Sequence, residues 1–481
     1  MDSKLVARVD TALGNGIESL VRRHHRRRLG RVGWTSAFER SAELWVDGEP
    51  PPRTGNDVEI LVDGASFLPR LADELARARS HVHITGWYLS TELALERDGR
   101  RVVLLDLLAE LAQRVDVRVL LWAGAPLPLF RPTRRAVREV AERLRGVGVS
   151  VGIDAKERPL HCHHEKLVVI DDRLATVGGI DLTTFSGDRF DSTEHPWRPG
   201  LGWHDAAALV HGPVVTDVAE HFRLRWREVT GEELAAPPAP GRQGRHELQL
   251  VQTIPEKVYE ARPRGEFRIL EGYMRALRSA ERLIYLESQF LWSPEIVQIL
   301  VDKLRRPPSD DFRIVVVLPT HAESGNDDSR GQVGVLVEAD AGAGRFLACA
   351  LYSHGDGRAE PIYVHAKIGI VDDRWLTIGS ANLNEHSLFN DTEVNLISLE
   401  PELARTTRER LWAEHLELPL DEVRGREPLE LVDGRWFPVA EEQLHRRDRG
   451  EPLLHRLVRL PGASRRSRRL LGPLQGLVVD G

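Results

Sequence analysis

The stretch HCHHEKLVVIDDRLATVGGID, residues 161–181, runs histidines and a lysine straight into the apolar segment Leu167-Val168-Val169-Ile170. A buried strand ordinarily excludes a cation, because desolvating an unpaired charge costs several kcal/mol. A second stretch, YVHAKIGIVDDRWLTIGSAN at 363–382, repeats the layout. Both share one skeleton: His, any residue, Lys, four residues, Asp, six residues, Gly. The copies are His164, Lys166, Asp171, Gly178 and His365, Lys367, Asp372, Gly379. The chain uses arginine for nearly all its cations: of 66 basic residues only Lys4, Lys156, Lys166, Lys257, Lys303 and Lys367 are lysines. Two of these six stand at the matched positions, where a compact point charge differs from arginine's planar fork.

If each copy begins a strand, side chains alternate between faces. His164 and Lys166 then share a face, as do His365 and Lys367, while Asp171 and Asp372 point the other way. The aspartates are therefore expected to satisfy backbone or cationic groups beneath the site. A second matched feature supplies acids to orient the imidazoles: Asp191 lies 27 residues after His164, and Glu393 lies 28 after His365. An acid at equal distance in both halves suits the holding of one ring nitrogen.

Working outward, the repeat extends to the whole chain. Helix-like FLPRLADELARARS, strand-like HVHITGWYLS, helix-like LLDLLAELAQR and strand-like VDVRVLLWAG precede the first copy. Helix-like EGYMRALRSAER, strand-like LIYLESQFLWS, helix-like PEIVQILVDKLR and strand-like DFRIVVVLP precede the second. Corresponding elements lie 195–202 residues apart. The pattern predicts an α/β protein of two similar domains, with mixed sheets flanked by helices, packed about a pseudo-twofold axis with the active site at their interface. The expected divisions are a basic N-terminal helical extension over 1–50, domains over 51–235 and 246–440 separated by the Pro/Gly-rich linker GEELAAPPAPGRQGR, and a basic, solvated tail over 441–481 carrying SRRSRR. The run Arg22-Arg23-His24-His25-Arg26-Arg27-Arg28 ends a weakly amphipathic segment. A solvated helix is the favoured reading there over a membrane-surface anchor.

Bulk properties bound the partners. A formal charge of −7 gives no overall pull toward nucleic acid. The two cysteines, Cys162 and Cys349, make no disulfide framework, which points to a reducing compartment. No apolar run approaches the roughly 20 residues that span a bilayer, and the N-terminus lacks a signal peptide's apolar core. A cytoplasmic protein that touches membranes peripherally is expected. HCHH could suggest zinc, but Cys162 has no CxxC partner and adjacent residues on a strand point apart. No metal and no cofactor is expected. A nucleotide loop with GK[ST] is absent, so ATP chemistry has no support.

Brought together, two histidines, two lysines and two glycine turns suit a phosphoryl group. The lysines attract its non-bridging oxygens. Gly178-Gly179 and Gly379-Ser380-Ala381-Asn382 can add donors. One histidine can attack phosphorus; the other can protonate the leaving alcohol and then deprotonate water or a second alcohol.

At these residues the sequence resembles the phospholipase D superfamily, whose signature is a doubled HxKxxxxD followed by GSxN. The second copy matches throughout, to Gly379, Ser380 and Asn382. The first carries GGID, with Gly179 and Asp181 in place of Ser and Asn. That variant, with HHEKLVVID, RFDSTEHP and GWHDAAALVHGPVV, resembles the phosphatidylcholine-type phospholipase D branch. YLESQF resembles that branch's IENQ-type segment, with Ser288 departing from Asn. The likeness spans about residues 55–415 and implies a two-lobed α/β monomer acting on phospholipid at a membrane surface. It implies a covalent phosphohistidine and no obligatory metal in the core chemistry. Carried over, His164 is the nucleophile and His365 the general acid/base, an order that the near-symmetry of the copies leaves open. Lys166, Lys367 and Asn382 hold the phosphate. Cardiolipin synthase-type phosphatidyl transfer is the second expectation, and a catalytically silent membrane-binding scaffold the third.

Overall fold

In a computed structural model the chain is described at residues 3–97, 99, 101–126, 130–158, 161–185, 187–200, 202–320 and 326–463, with no side-chain description for 3–13, 15 and 326–328. The elements fall where hydrophobic periodicity places them. Helices cover Gly64–Ala76, Leu104–Leu111, Arg268–Ser279 and Pro294–Arg305; strands cover His81–Gly86, Asp116–Trp122, Leu283–Glu287 and Arg313–Val317.

Two strand series repeat one order. The first runs Ser150–Asp154, Asp116–Trp122, His81–Gly86, Leu167–Ile170, Leu174–Gly178, Ala206–His211, Arg53–Val62. The second runs Phe346–Gly355, Arg313–Val317, Leu283–Glu287, Ile368–Val371, Trp375–Gly379, Glu393–Ser398, His246–Ile254. In each, the first three strands are parallel and the rest antiparallel. The series join where Arg53–Val62 pairs with His246–Ile254 and where Gly202–His204 runs parallel to Arg358–Val364. Leu167–Ile170 and Ile368–Val371 lie inside their series and are buried at every residue. At roughly 1.5–3 kcal/mol for each large apolar side chain fully buried, these short strands are strong anchors.

Three expectations need correction. The histidine and lysine of each copy lie just before the strand rather than within it, since the strands begin at Leu167 and Ile368. The helix over Ser3–Arg31 is not simply solvated: His25 Nδ1 lies 2.9 Å from Glu295, Arg28 pairs with Glu256 at 2.7 Å, and Leu29 is buried. Nor is 441–463 a loose tail. The helix Phe437–Asp448 crosses its start, and Leu457–Arg459 adds a strand antiparallel to Phe346–Gly355. The segment SRRSRR lies outside the described residues.

Candidate active site

Each strand that anchors a motif is preceded by an extended approach tied to the other half of the molecule. The backbone N–H of His164 donates to Thr392 O at 3.0 Å, and that of His365 donates to His204 O at 2.8 Å. Those carbonyls belong to the residues immediately before Glu393 and Asp205. The side chains follow the same exchange. His164 Nδ1 lies 3.0 Å from Glu393 Oε1, and His365 Nδ1 lies 2.6 Å from Asp205 Oδ2. The two imidazoles meet edge to face, 6.3 Å between centroids, and both are buried. With each Nδ1 engaged by an acid, Nε2 is the nitrogen of each ring suited to chemistry.

Glu393 therefore holds a histidine as expected, but the histidine of the other copy. Asp191 does not hold His164. Its carboxylate accepts from Trp203 N at 3.1 Å and faces His195 and Arg198 at 3.3 and 3.2 Å. Its place is taken by Asp205. Gly178 pairs with Ala207 across the sheet as Gly379 pairs with Asn395, which makes Asp205 the structural counterpart of Glu393. The loop from Gly178 to Asp205 is 13 residues longer than that from Gly379 to Glu393. Equal spacing from the histidine therefore pointed to the wrong acid. The signal that could have found Asp205 was the resemblance of AAALVH, just after it, to VNLIS, just after Glu393: both read as strands.

The lysines enter the same cleft. Lys166 Nζ lies 3.1 Å from Asp181 Oδ2 and donates to His164 O at 2.7 Å. Lys367 Nζ donates to His365 O and, at 3.4 Å, to Gln289 Oε1, which also accepts from Asn382 Nδ2 at 3.2 Å. Gln289 lies in YLESQF and was given no role in the sequence reading. At the glycine turns, a Cβ built on Gly179 would overlap Asp205 Oδ1, whereas Ser380 Oγ donates to Glu393. Gly179 makes room for the acid; Ser380 helps to hold it.

Asp171 and Asp372 stand outside this cluster, which corrects any catalytic role for them. Asp171 accepts from the backbone N–H groups of Arg79, Ser80 and His81, and Asp372 from those of Glu281, Arg282 and Leu283. Each pins the turn that feeds the neighbouring parallel strand. Both adopt left-handed backbone, φ 54° and 52°, where aspartate is better tolerated than most residues. Burial works against the Asp171 charge, but the three N–H donors prevail and hold its carboxyl below the usual range.

Electrostatics divide the pair. Burial, then the Lys367 and Lys166 ammoniums, hold the His365 pKa well below the ordinary imidazole value. Burial pushes the Asp205 carboxyl up to about 6, against the pull of Lys367. Burial also raises Glu393 well above the usual carboxylate range, against Lys166 and the hydroxyls of Ser380 and Ser387. An anion entering between the lysines offsets the charge that disfavours protonation of His365.

Comparison with known proteins agrees with this arrangement. Residues 273–414 match the family described as "Cardiolipin synthase, PLD-like domain". The chain is 25% identical over 468 residues to phospholipase D A of Dictyostelium discoideum, covering 76% of this chain and 36% of that protein. It is 25% identical over 391 residues to the major cardiolipin synthase ClsA of Bacillus subtilis, covering 76% of this chain and 72% of that one. The first curated relatives are longer, and the chain spans half or less of their length. The fold is shared with the phosphatidylserine synthase of Haemophilus influenzae, at TM-score 0.52 and 13% identity, over 74% of this chain and 85% of that one. The doubled motif, the matched family domain and these relatives together support membership of the phospholipase D superfamily.

Proposed function

We propose that this protein is a phospholipase D-type enzyme that cleaves the headgroup phosphodiester of a glycerophospholipid, with water or a primary alcohol as acceptor. The observation that carries this reading is the meeting of His164 and His365 at 6.3 Å, each held at Nδ1 by an acid from beyond the other motif. His164 Nε2 attacks phosphorus as His365 Nε2–H protonates the departing headgroup oxygen. His365 then removes a proton from water or alcohol as its oxygen bonds to phosphorus, and the P–N bond of the phosphohistidine breaks to free His164. Lys166, Lys367 and Asn382 bind the non-bridging oxygens, where charge grows in the transition state. The substrate is taken from a membrane surface by a monomer; the formal charge of −7 argues against a nucleic-acid substrate. Among the described residues no helix is long and apolar enough to cross a membrane, in keeping with peripheral contact from the cytoplasm.

A cardiolipin synthase-type phosphatidyl transfer uses the same residues with phosphatidylglycerol as donor. It is favoured by the matched family's description and by the coverage of ClsA. The deciding experiment follows choline release from phosphatidylcholine vesicles, with and without a primary alcohol, beside turnover of phosphatidylglycerol with glycerol. Choline release with formation of phosphatidyl-alcohol supports the first reading. Turnover of phosphatidylglycerol alone replaces it with the second. Vesicle binding without cleavage of any phosphodiester overturns both and leaves the scaffold.

A further inference from the structure

A second buried polar cluster lies beneath His365, and the reaction does not use it. Asp63 caps the start of the helix Gly64–Ala76, His195 sits in the long loop after Gly178, His204 ends a strand, and Glu414 lies on the helix Pro401–His415. Their side chains are 0–4% exposed. His195 Nε2 lies 3.1 Å from both Asp63 Oδ2 and Glu414 Oε1. His204 Nδ1 lies 3.1 Å from Asp63 Oδ1 and 3.2 Å from Glu414 Oε1. One ligand atom from each residue falls within 4.8 Å of the others.

Hydrogen bonding accounts for the approach of His195 Nε2 to Glu414 Oε1 but not for the others. Neither His204 Nδ1 nor Asp63 Oδ2 makes an aligned hydrogen bond, although both are buried. Buried polar atoms left in that state are rare, and each requires a cause. Both outer nitrogens approach carboxylates, that of His204 as a hydrogen bond and that of His195 as an ion-pair contact without an aligned hydrogen bond. His204 Nε2 lies 2.8 Å from Glu287 Oε2, and His195 Nδ1 lies 3.3 Å from Asp191 Oδ2. An imidazole whose outer N–H is held by a carboxylate presents its inner lone pair to a metal, and such carboxylate–histidine–metal arrangements are the usual outer sphere of zinc. Around Zn2+, with N and O ligands at about 2.0–2.2 Å, neighbouring tetrahedral donor atoms lie roughly 3.3–3.5 Å apart. The quoted spacings need to open only slightly, and the remaining pairs of donor atoms lie within 4.8 Å. Asp63 and His195 both adopt positive φ, 62° and 40°, so the backbone departs from its easy regions at two of the four positions.

We propose that Asp63, His195, His204 and Glu414 form a closed, four-ligand structural site for one divalent cation of the zinc class. Four carboxylates (Asp63, Asp191, Glu287 and Glu414) surround the two inner imidazoles. Two protons or one M2+ supply the same charge, so binding displaces the inner-nitrogen protons of His195 and His204. The site ties Glu414, from the second half of the chain, to three ligands from the first half. It also supports the active site, because Asp63 Oδ1 accepts the backbone N–H of Asp205 at 3.0 Å. That joins the cation to the residue that holds His365.

The test is elemental analysis of the full-length protein purified from zinc-supplemented culture, with thermal unfolding before and after chelation. The expected result is one zinc per chain, a lower midpoint after chelation, and recovery when Zn2+ alone is returned. His195→Gln and Glu414→Gln should each lose the metal. Asp191→Asn, which removes only an outer partner, should fold, retain the site and bind Zn2+ about 10–100-fold more weakly. A metal-free protein whose midpoint ignores added Zn2+ would overturn the proposal and leave two imidazoliums in the cluster. So would zinc retained equally by the ligand variants. Neither readout depends on turnover.

Discussion

The two halves of the site perform one task with different chemistry. In one, Glu393 reaches His164 while receiving hydroxyl bonds from Ser380 and Ser387. In the other, the shorter Asp205 reaches His365 across Gly179, where a side chain would overlap it. The departure of GGID from GSxN is thus coupled to the acid: glycine with aspartate, serine with glutamate. The lysines differ in the same manner, Lys166 beside the carboxylate of Asp181 and Lys367 beside the amides of Gln289 and Asn382. A duplicated backbone has kept its contacts while its two copies settled on different side chains that fill the same space.

The comparison breaks most directly at the histidines. His164→Asn and His365→Asn are each expected to lower turnover by at least about 10³-fold, because each half-reaction needs both rings. Rapid-quench mass spectrometry should find a phosphohistidine at residue 164, and substantial activity in either variant would show that the rings do not share one phosphorus. Next come the acids. Asp205→Asn and Glu393→Gln should each cost about 10²–10³-fold in kcat. A normal rate for Asp205→Asn would mean that the crossed pairing has no role in catalysis. Gly179→Ser imposes the serine of one half on the aspartate of the other; it should lower kcat some 10²-fold by displacing Asp205, and steady-state kinetics on folded protein reads this. Asn382→Asp gives the second lysine the neighbour of the first. It should raise KM by about 10-fold by placing a second carboxylate against the substrate phosphate, with kcat changed less.

The smallest effect is expected beneath the site. Asp171→Asn should leave the rate of folded enzyme within a few-fold but lower stability by about 1–3 kcal/mol, through the loss of a charged acceptor for three N–H groups. The sign with pH is set by its depressed carboxyl. A native pKa below the unfolded one contributes stability above the unfolded value of about 3.9, and loses it as pH falls through the native value. The gap between wild type and Asp171→Asn in denaturant melts should therefore be full at neutral pH and close in acid. A gap that is independent of pH would assign Asp171 a different role.

Much of this was legible in the chain. Alternating helical and strand periodicities placed eight elements, and the doubled His-x-Lys announced one shared cluster, because two cations at matched positions beside buried strands need a common purpose. The separation of Asp171 and Asp372 from the histidines was expected from strand alternation, although the aspartates stand in turns just after the strands and the histidines just before them. The partner of each histidine did not. Asp191 stood at the matching distance, and only the inserted loop, with Asp191 turned toward His195, Arg198 and Trp203, made that distance misleading. Gln289 was hidden for a related reason: it is adjacent to Lys367 through strand pairing, not through sequence.

By itself, then, the sequence determined local structure, the duplication and the residue types that act, since these depend on periodicity and composition within short windows. Only the tertiary structure decided which acid meets which histidine and which buried groups converge beneath Asp205. Those contacts close loops of 142 to 229 residues, and a pairing across such a span depends on the packing of both strand series together rather than on any spacing along the chain.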